Sequence, residues 1–461
     1  MLVKELRQGL RTRGFVIALI ASQAILFMIL LGSLTSDSPQ AAGQMINGSI
    51  ITVFAILTVI IQPLRGINAI THDIKSKTLE LMQLTRMNST KVVVGKWVSI
   101  YTQTLLFAVT LFPYFVLRYF FGGMDITTTA FTLMGLLLAS ALLSAITVGL
   151  SANKSIIIRG LFICVAGFLL LSSGFSFLIG RMMTGSVTSG GFWSSGVSSI
   201  ILWVLVVAYV SFLFLELGSS VIAPISENRQ TRLRLTSLAF IAVFAGICLL
   251  GGVGFPGVLA ATLMVALAFM FLSSYLFVTP NTAKKFLSKG PLGSILGRFL
   301  YPGWPAGYLF FLVISILMIL LSQVSSTSGL HDSSYSISFT FLGALSLSLI
   351  LIELLVPKTF ARFAFLMIML ISQTFILFIA FLLSTAMTSS EILLFSCVVP
   401  ICQLAAIENS AIAESARMVS YVVNSVYILG AVFLACRRFG YYRELEDSVR
   451  LSLQEAPKSD D

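Results

Sequence analysis

Long apolar runs alternate with short polar segments along most of the chain. They fall near residues 15–33, 49–65, 97–119, 129–151, 156–180, 197–223, 237–254, 257–278, 306–323, 337–356, 363–384 and 418–436. Roughly 20 apolar residues cross about 30 Å of hydrocarbon, so each run predicts a membrane helix. A backbone in lipid must satisfy its own hydrogen bonds, which makes the helix the natural spanning element here. A further run, 391–407, is short, contains Pro400 and leads into the polar stretch Glu408 to Arg417. It predicts a re-entrant hairpin near 391–417, buried in protein or lining a cavity. The fold class is all-α and polytopic, with about twelve spans in two six-helix halves. The halves are residues 1–236 and 237–461, the second closing in a short tail at 437–461.

Composition strengthens the membrane reading. Of 461 residues, 57% are hydrophobic and 10% charged, with a mean hydropathy of +0.99. Soluble domains carry about 25% charged residues, so the bilayer has to act as solvent and no large soluble domain fits. The apolar run from Phe15 to Leu31 exceeds the core of a cleaved signal peptide. It reads as a retained first helix.

Charge sets the orientation. Lys and Arg concentrate in cytoplasmic loops. With the N-terminus inside, the interior segments 1–14, 65–96, 153–159, 225–234, 280–298, 357–362 and 437–461 hold 26 of the 29 basic residues. Arg118, Arg181 and Arg417 alone fall elsewhere. Counting 391–407 as a thirteenth span would send Arg437, Arg438, Arg443 and Arg450 outside, which favours the hairpin. The net charge of +11 therefore reports topology. Nucleic-acid binding would need a basic surface with stacking aromatics outside the membrane.

Two interior segments carry patterns of their own. Leu2, Leu6 and Leu10 recur at helical spacing with Lys4, Arg7, Arg11 and Arg13 on other faces. This predicts an N-terminal helix lying in the interface and turning into the first span. The longest interior loop, Arg65 to Trp97, predicts a short helix over Ile74 to Thr85, with Asp73 as its cap. Leu81, Met82 and Leu84 give it an apolar side, and Lys75, Lys77, Glu80 and Arg86 a charged one. Such a helix suits a lever that presses into a groove on a partner. A solvated loop that only sets topology fits the same residues.

Catalytic and metal signatures are sparse. His72 and His331 fall on opposite sides of the expected topology, and Cys164, Cys248, Cys397, Cys402 and Cys436 read as buried small hydrophobes without zinc spacing. The Gly95-Lys96 pair lacks the upstream glycine of a phosphate-binding loop and is followed by Trp97. These residues predict no enzymatic activity and no cofactor for the chain itself. Three charges stand within expected spans: Glu216 in the sixth, Glu353 near the inner end of the tenth beside Lys358, and Arg118 near the outer end of the third. Intramembrane charges are costly and point to function, although pairing and snorkelling also accommodate them.

The residues Lys4-Glu5-Leu6-Arg7-Gln8 before the first span resemble the start of type-2 ABC transporter permeases. So does Thr78-Leu79-Glu80-Leu81-Met82-Gln83-Leu84-Thr85, followed by Lys91 and Gly95-Lys96. Pro113 before Phe121-Gly122-Gly123 is similar too, as are Ile222-Ala223-Pro224, Glu227-Asn228-Arg229 and Arg234. The resemblance covers roughly residues 1–236. It departs at Lys77, where the family often has Gly, and at Asp73, where Glu is common. It implies an exporter permease in the bacterial inner membrane, driven by a separate P-loop ATPase and working as a homodimer or beside a second permease. It implies that Asp73, Lys77, Thr78, Leu79, Glu80, Leu81, Met82 and Leu84 form the coupling helix in the ATPase cleft. The competing reading is a twelve-span carrier driven by an ion gradient, with Glu216 as its carboxylate.

Overall fold

The computed structural model describes residues 2–33, 39–76, 88–120, 126–152, 197–223, 229–251, 280–288, 297–325, 331–355, 362–387, 391–408 and 412–455, with the single positions Leu267, Val278 and Gly293. Every regular element among them is helical. Among the described residues seven helices are long and apolar enough to cross a membrane: Arg13–Gly32, Ile46–Lys75, Ser89–Leu117, Thr132–Leu150, Val204–Ile222, Ser338–Leu355 and Ala413–Leu451. Trp304–Leu320 and Ile368–Ser384 are shorter apolar helices. The expected span 156–180 lies outside the described residues, as does 257–278 apart from Leu267 and Val278. Phe112, Phe378 and Phe433 stand exposed on these helices, an arrangement that lipid tolerates and water does not. The chain has the build of a polytopic α-helical membrane protein.

It divides into two compact units, Met1–Pro224 and Ile225–Asp461. The first contains α1 (Leu2–Leu10), α2 (Arg13–Ser33), α3 (Pro39–Ala55), a π-helical turn (Ile56–Ile61), α4 (Gln62–Gly66) and α5 (Ala69–Lys75). It continues with α6 (Ser89–Phe120), α7 (Ile126–Leu150) and α8 (Val197–Ile222). Phe15, Leu26, Ile50, Phe54, Phe107 and Leu111 form one core of this unit. Ile70, Val93, Ala145, Val148 and Leu215 form a second.

Small residues draw α7 and α8 together. A Cβ on Gly149 would lie 2.1 Å from the Phe214 carbonyl oxygen, and one on Gly218 would lie 2.9 Å from Gly149 Cα. Only glycine permits backbones this close, and close backbone approach is a main source of helix association in lipid.

The second unit contains α9 (Arg229–Gly251), α10 (Pro280–Leu287), α11 (Trp304–Ser325), α12 (His331–Leu355) and α13 (Arg362–Met387). It ends with α14 (Glu391–Ser396), α15 (Cys402–Glu408), α16 (Ala413–Arg438) and α17 (Gly440–Glu455). The run 391–407 is thus two short helices broken at 397–401. At about 1.5 Å per residue, neither is long enough to span. The tail expected at 437–461 is helical through Glu455 and packs on α10. Tyr442 and Val449 share a core with Val278, Ala283 and Tyr301, and Arg298 donates to Glu446 at 2.8 Å.

Candidate functional site

The region around the longest interior loop is built from three helices. The charge at Arg65 suggested that helix ends there. Instead the chain stays largely helical to Lys75, and Arg65 turns its guanidinium onto neighbouring helices. It donates to Gly9 O at 3.0 Å, to Thr12 Oγ1 at 2.8 Å and to Gln103 Oε1. The Gly9 carbonyl belongs to the last turn of α1, where carbonyls lack partners within the helix. Arg65 therefore caps α1 and ties it to α6. Its side chain also lies over the Phe15 ring, 5.4 Å from the centroid. Burial pushes α1 against the protein through Glu5, Leu6, Gly9 and Leu10, while Lys4, Arg7, Gln8 and Arg11 stay exposed. Leu6 and Leu10 of α1 thus face protein, and the exposed face is basic beside Val3.

Asp73 does not cap a helix beginning at Ile74. It lies inside α5, and its carboxylate sits 2.7 Å from Lys96 Nζ. Glu5 Oε1 lies 3.4 Å from the same nitrogen. The Lys96 side chain is only 8% exposed, and a buried ammonium requires a counter-charge. That requirement outweighs the modest gain of a cap, about 1 kcal/mol. The Lys96 node joins α1, α5 and α6. Asp73 stands four residues before segment 77–87, and Lys96 nine residues after it. Thr71 Oγ1 donates to Ser151 O, and Ile70 N donates to Ser151 Oγ at 3.1 Å, which fixes α5 to the end of α7. Lys77, Thr78, Leu79, Glu80, Leu81, Met82 and Leu84 lie outside the described residues. Of the expected coupling residues, the structure places Asp73.

Glu216 and Glu353 are each held by a partner within their own unit. Glu216 is buried in α8 and accepts from Ser219 Oγ at 3.1 Å. Glu353, near the end of α12, pairs with Arg438 at the end of α16, 2.6 Å away. Lys358, its expected neighbour, lies outside the described residues. Arg118 lies in α6, five residues beyond Pro113.

The second unit holds polar groups that the charge pattern does not reveal. Gln403, fully buried on α15, accepts from Ser420 Oγ at 2.7 Å and from Asn424 Nδ2 at 2.8 Å. Its amide donates to Cys397 O at 2.8 Å across the break between α14 and α15. Thr340 Oγ1 lies 3.5 Å from Gln403 Oε1. From α13, Gln373 Nε2 donates to Ala344 O at 3.2 Å and to Ser348 Oγ at 3.0 Å on α12. Tyr427 Oη donates to Val398 O at 3.0 Å, so side chains take up the carbonyls that the broken helix releases. Non-helical backbone at membrane depth needs such partners. Gln and Asn inside apolar runs were the available signal.

Arg234 extends the pattern. Its guanidinium is fully buried, donates to Phe299 O and to Gly303 O at 3.2 Å, and faces the Phe310 ring at 5.7 Å. It pins the start of α9 to the turn before α11. Its hydrogen bond to Glu446 holds the Arg298 guanidinium above its ordinary pKa. Cys397 and Cys402 are buried, whereas Cys436 is exposed and departs from the expected buried role. Among the described residues no group of three or more His, Cys, Asp or Glu side chains is placed to hold a metal ion.

The chain matches no known family model, no curated protein and no solved structure.

Proposed function

We propose that the chain is the membrane-spanning permease subunit of an ATP-driven ABC exporter, set in a bacterial inner membrane with both termini in the cytoplasm. A separate P-loop ATPase supplies the energy, and segment 77–87 is the contact through which it acts. The observation that carries this reading is the Lys96 node. A lever transmits force only when it is anchored, and Asp73 and Lys96 pair across the helices that flank that segment and tie both to α1. The apolar Leu81, Met82 and Leu84 within the segment support a groove-seeking face, as does the sequence resemblance described above. The 26 interior basic residues of 29 support the orientation. The buried Glu216 favours the second reading, a carrier driven by an ion gradient.

The test is capture of a P-loop ATPase by the tagged full chain, with stimulation of ATP hydrolysis in membranes. Leu81→Ala and Leu84→Ala each remove apolar contact worth roughly 1–2 kcal/mol, so each should weaken capture about 5- to 30-fold. Insertion and folding should be unchanged, because the segment lies outside the apolar spans. Normal capture and stimulation by both variants would sink the coupling role and favour the ion-driven carrier. Cysteine labelling checks the topology independently. Positions 77 and 285 and the tail after Arg437 should react from the cytoplasm, and positions 186 and 332 from outside.

A further inference from the structure

The free face of α1 has no role in the coupling node. Lys4, Arg7, Gln8 and Arg11 recur at helical spacing over about 10 Å of axis, and all four are exposed. A cleft of about 610 Å³ runs along this face, lined among the described residues by Val3, Lys4, Arg7, Gln8, Arg11 and Thr12. Glu5 is the sole acidic residue before Asp37, and it points the other way, to Lys96. Among the described residues, no carboxylate pairs with Lys4, Arg7 or Arg11. The stripe therefore presents, on α1 and the turn after it, three cations without a carboxylate partner among the described residues, and the opposite side of α1 is tied down by Arg65 and Lys96.

Its position identifies what it meets. α1 ends at Leu10 and the first candidate span opens at Arg13, so the stripe lies at the level where that span enters the bilayer. Basic clusters immediately beside a membrane span attract anionic lipid headgroups. Val3 is 69% exposed at the edge of the cleft, giving an apolar contact beside the cations, as an interfacial helix requires. We propose that the Lys4–Arg7–Arg11 face of α1 is a binding site for anionic phospholipid, which the cations engage through its phosphate. Through the Arg65 and Lys96 contacts, the bound lipid would set the position of α1 against α4, α5 and α6. The lipid site stands on the charge and placement of α1 and is independent of the identity of any ATPase.

The experiment uses the full chain in bilayer nanodiscs of phosphatidylcholine with phosphatidylglycerol, at about 0.15 M salt. Electron spin resonance of spin-labelled phosphatidylglycerol, against spin-labelled phosphatidylcholine, reads the motionally restricted fraction of each. The native chain should restrict phosphatidylglycerol in excess. Each cation removed should lower the local preference roughly fivefold, so K4Q/R7Q/R11Q should abolish most of that excess. The charge-matched K284Q/K285Q/R443Q variant, altered at exposed positions on α10 and α17, should keep it. Inorganic phosphate at matched ionic strength should not displace the lipid. An unchanged preference in K4Q/R7Q/R11Q overturns the proposal, as does equal loss in the charge-matched variant or displacement by free phosphate. If K4Q/R7Q/R11Q instead loses ATPase capture with its lipid preference intact, the face contacts protein and the proposal is wrong while the exporter reading survives.

Discussion

Lys96 Nζ lies 2.7 Å from the Asp73 carboxylate, joining residues 23 positions apart across the undescribed segment between α5 and α6. The pair is almost dry, with side-chain exposures of 8% and 13%. Glu5 supplies a second carboxylate from α1, so one ammonium balances two anions drawn from different helices. The N-terminal helix is thereby tied to α5 and α6 on either side of residues 77–87.

Removing one member of this node should cost more than removing both members of the Lys96–Asp73 pair. Lys96→Met leaves Asp73 and Glu5 facing each other without a cation, and breaking one side of a buried pair typically costs about 3–5 kcal/mol. The double variant Asp73→Asn with Lys96→Met should recover part of that loss. Thermal unfolding of the purified chain in detergent checks the order: Lys96→Met lowest, the double variant between it and the native chain. Equal melting for the single and double variants would mean that Asp73 does not serve as the counter-charge.

Two glycines should respond to the same substitution with opposite signs. Gly149→Ala places a Cβ 2.1 Å from the Phe214 carbonyl, forcing α7 and α8 apart. Overpacking of this kind costs about 1–3 kcal/mol. Gly95 lies in α6 with nothing within 4 Å of an added Cβ, so Gly95→Ala should stabilise by up to about 1 kcal/mol through helix propensity. A melting temperature that falls for Gly149→Ala and holds or rises for Gly95→Ala is the expected pair of results.

Apolar length was the legible part of the sequence, because a membrane helix is specified locally. The runs at 15–33, 97–119 and 197–223 correspond to α2, α6 and α8. Contacts between distant side chains were not local, and there the reading failed in instructive ways. Asp73 looked like a helix cap because it stands directly before the helix expected from Ile74. The need lies at Lys96, whose setting of Val92, Val93, Val94 and Trp97 was itself the clue that a buried cation wanted a partner. Arg65 looked like the start of a loop because it is charged, yet its guanidinium caps another helix. The break at 397–401 was foreshadowed by Pro400. Its hydrogen-bond partners on α15 and α16 follow only from packing, since the same amides could equally face solvent.

Gln403 should be the least replaceable neutral residue of the second unit. Its carbonyl oxygen accepts from both Ser420 and Asn424, and its amide nitrogen holds the Cys397 carbonyl at the helix break. Gln403→Leu keeps the volume near constant but leaves those groups without Gln403 in a buried setting, at about 1–3 kcal/mol for each unsatisfied group. Gln403→Glu retains the acceptor and loses the donor to Cys397, so it should be milder if the new carboxyl is protonated and harsher as it ionises, because an unpaired buried charge is costly. Melting of the two variants across pH separates these terms. Gln403→Leu should be destabilised by a pH-independent amount, while Gln403→Glu should lose stability as pH rises. The sign follows from burial: the folded state holds the carboxyl neutral and so raises its pKa above the unfolded value. Stability relative to the native chain is then greatest below the unfolded pKa and declines as pH climbs toward the folded one. Two flat profiles of equal depth would show that the Gln403 oxygen is dispensable and would leave its donation to Cys397 O as the group that matters.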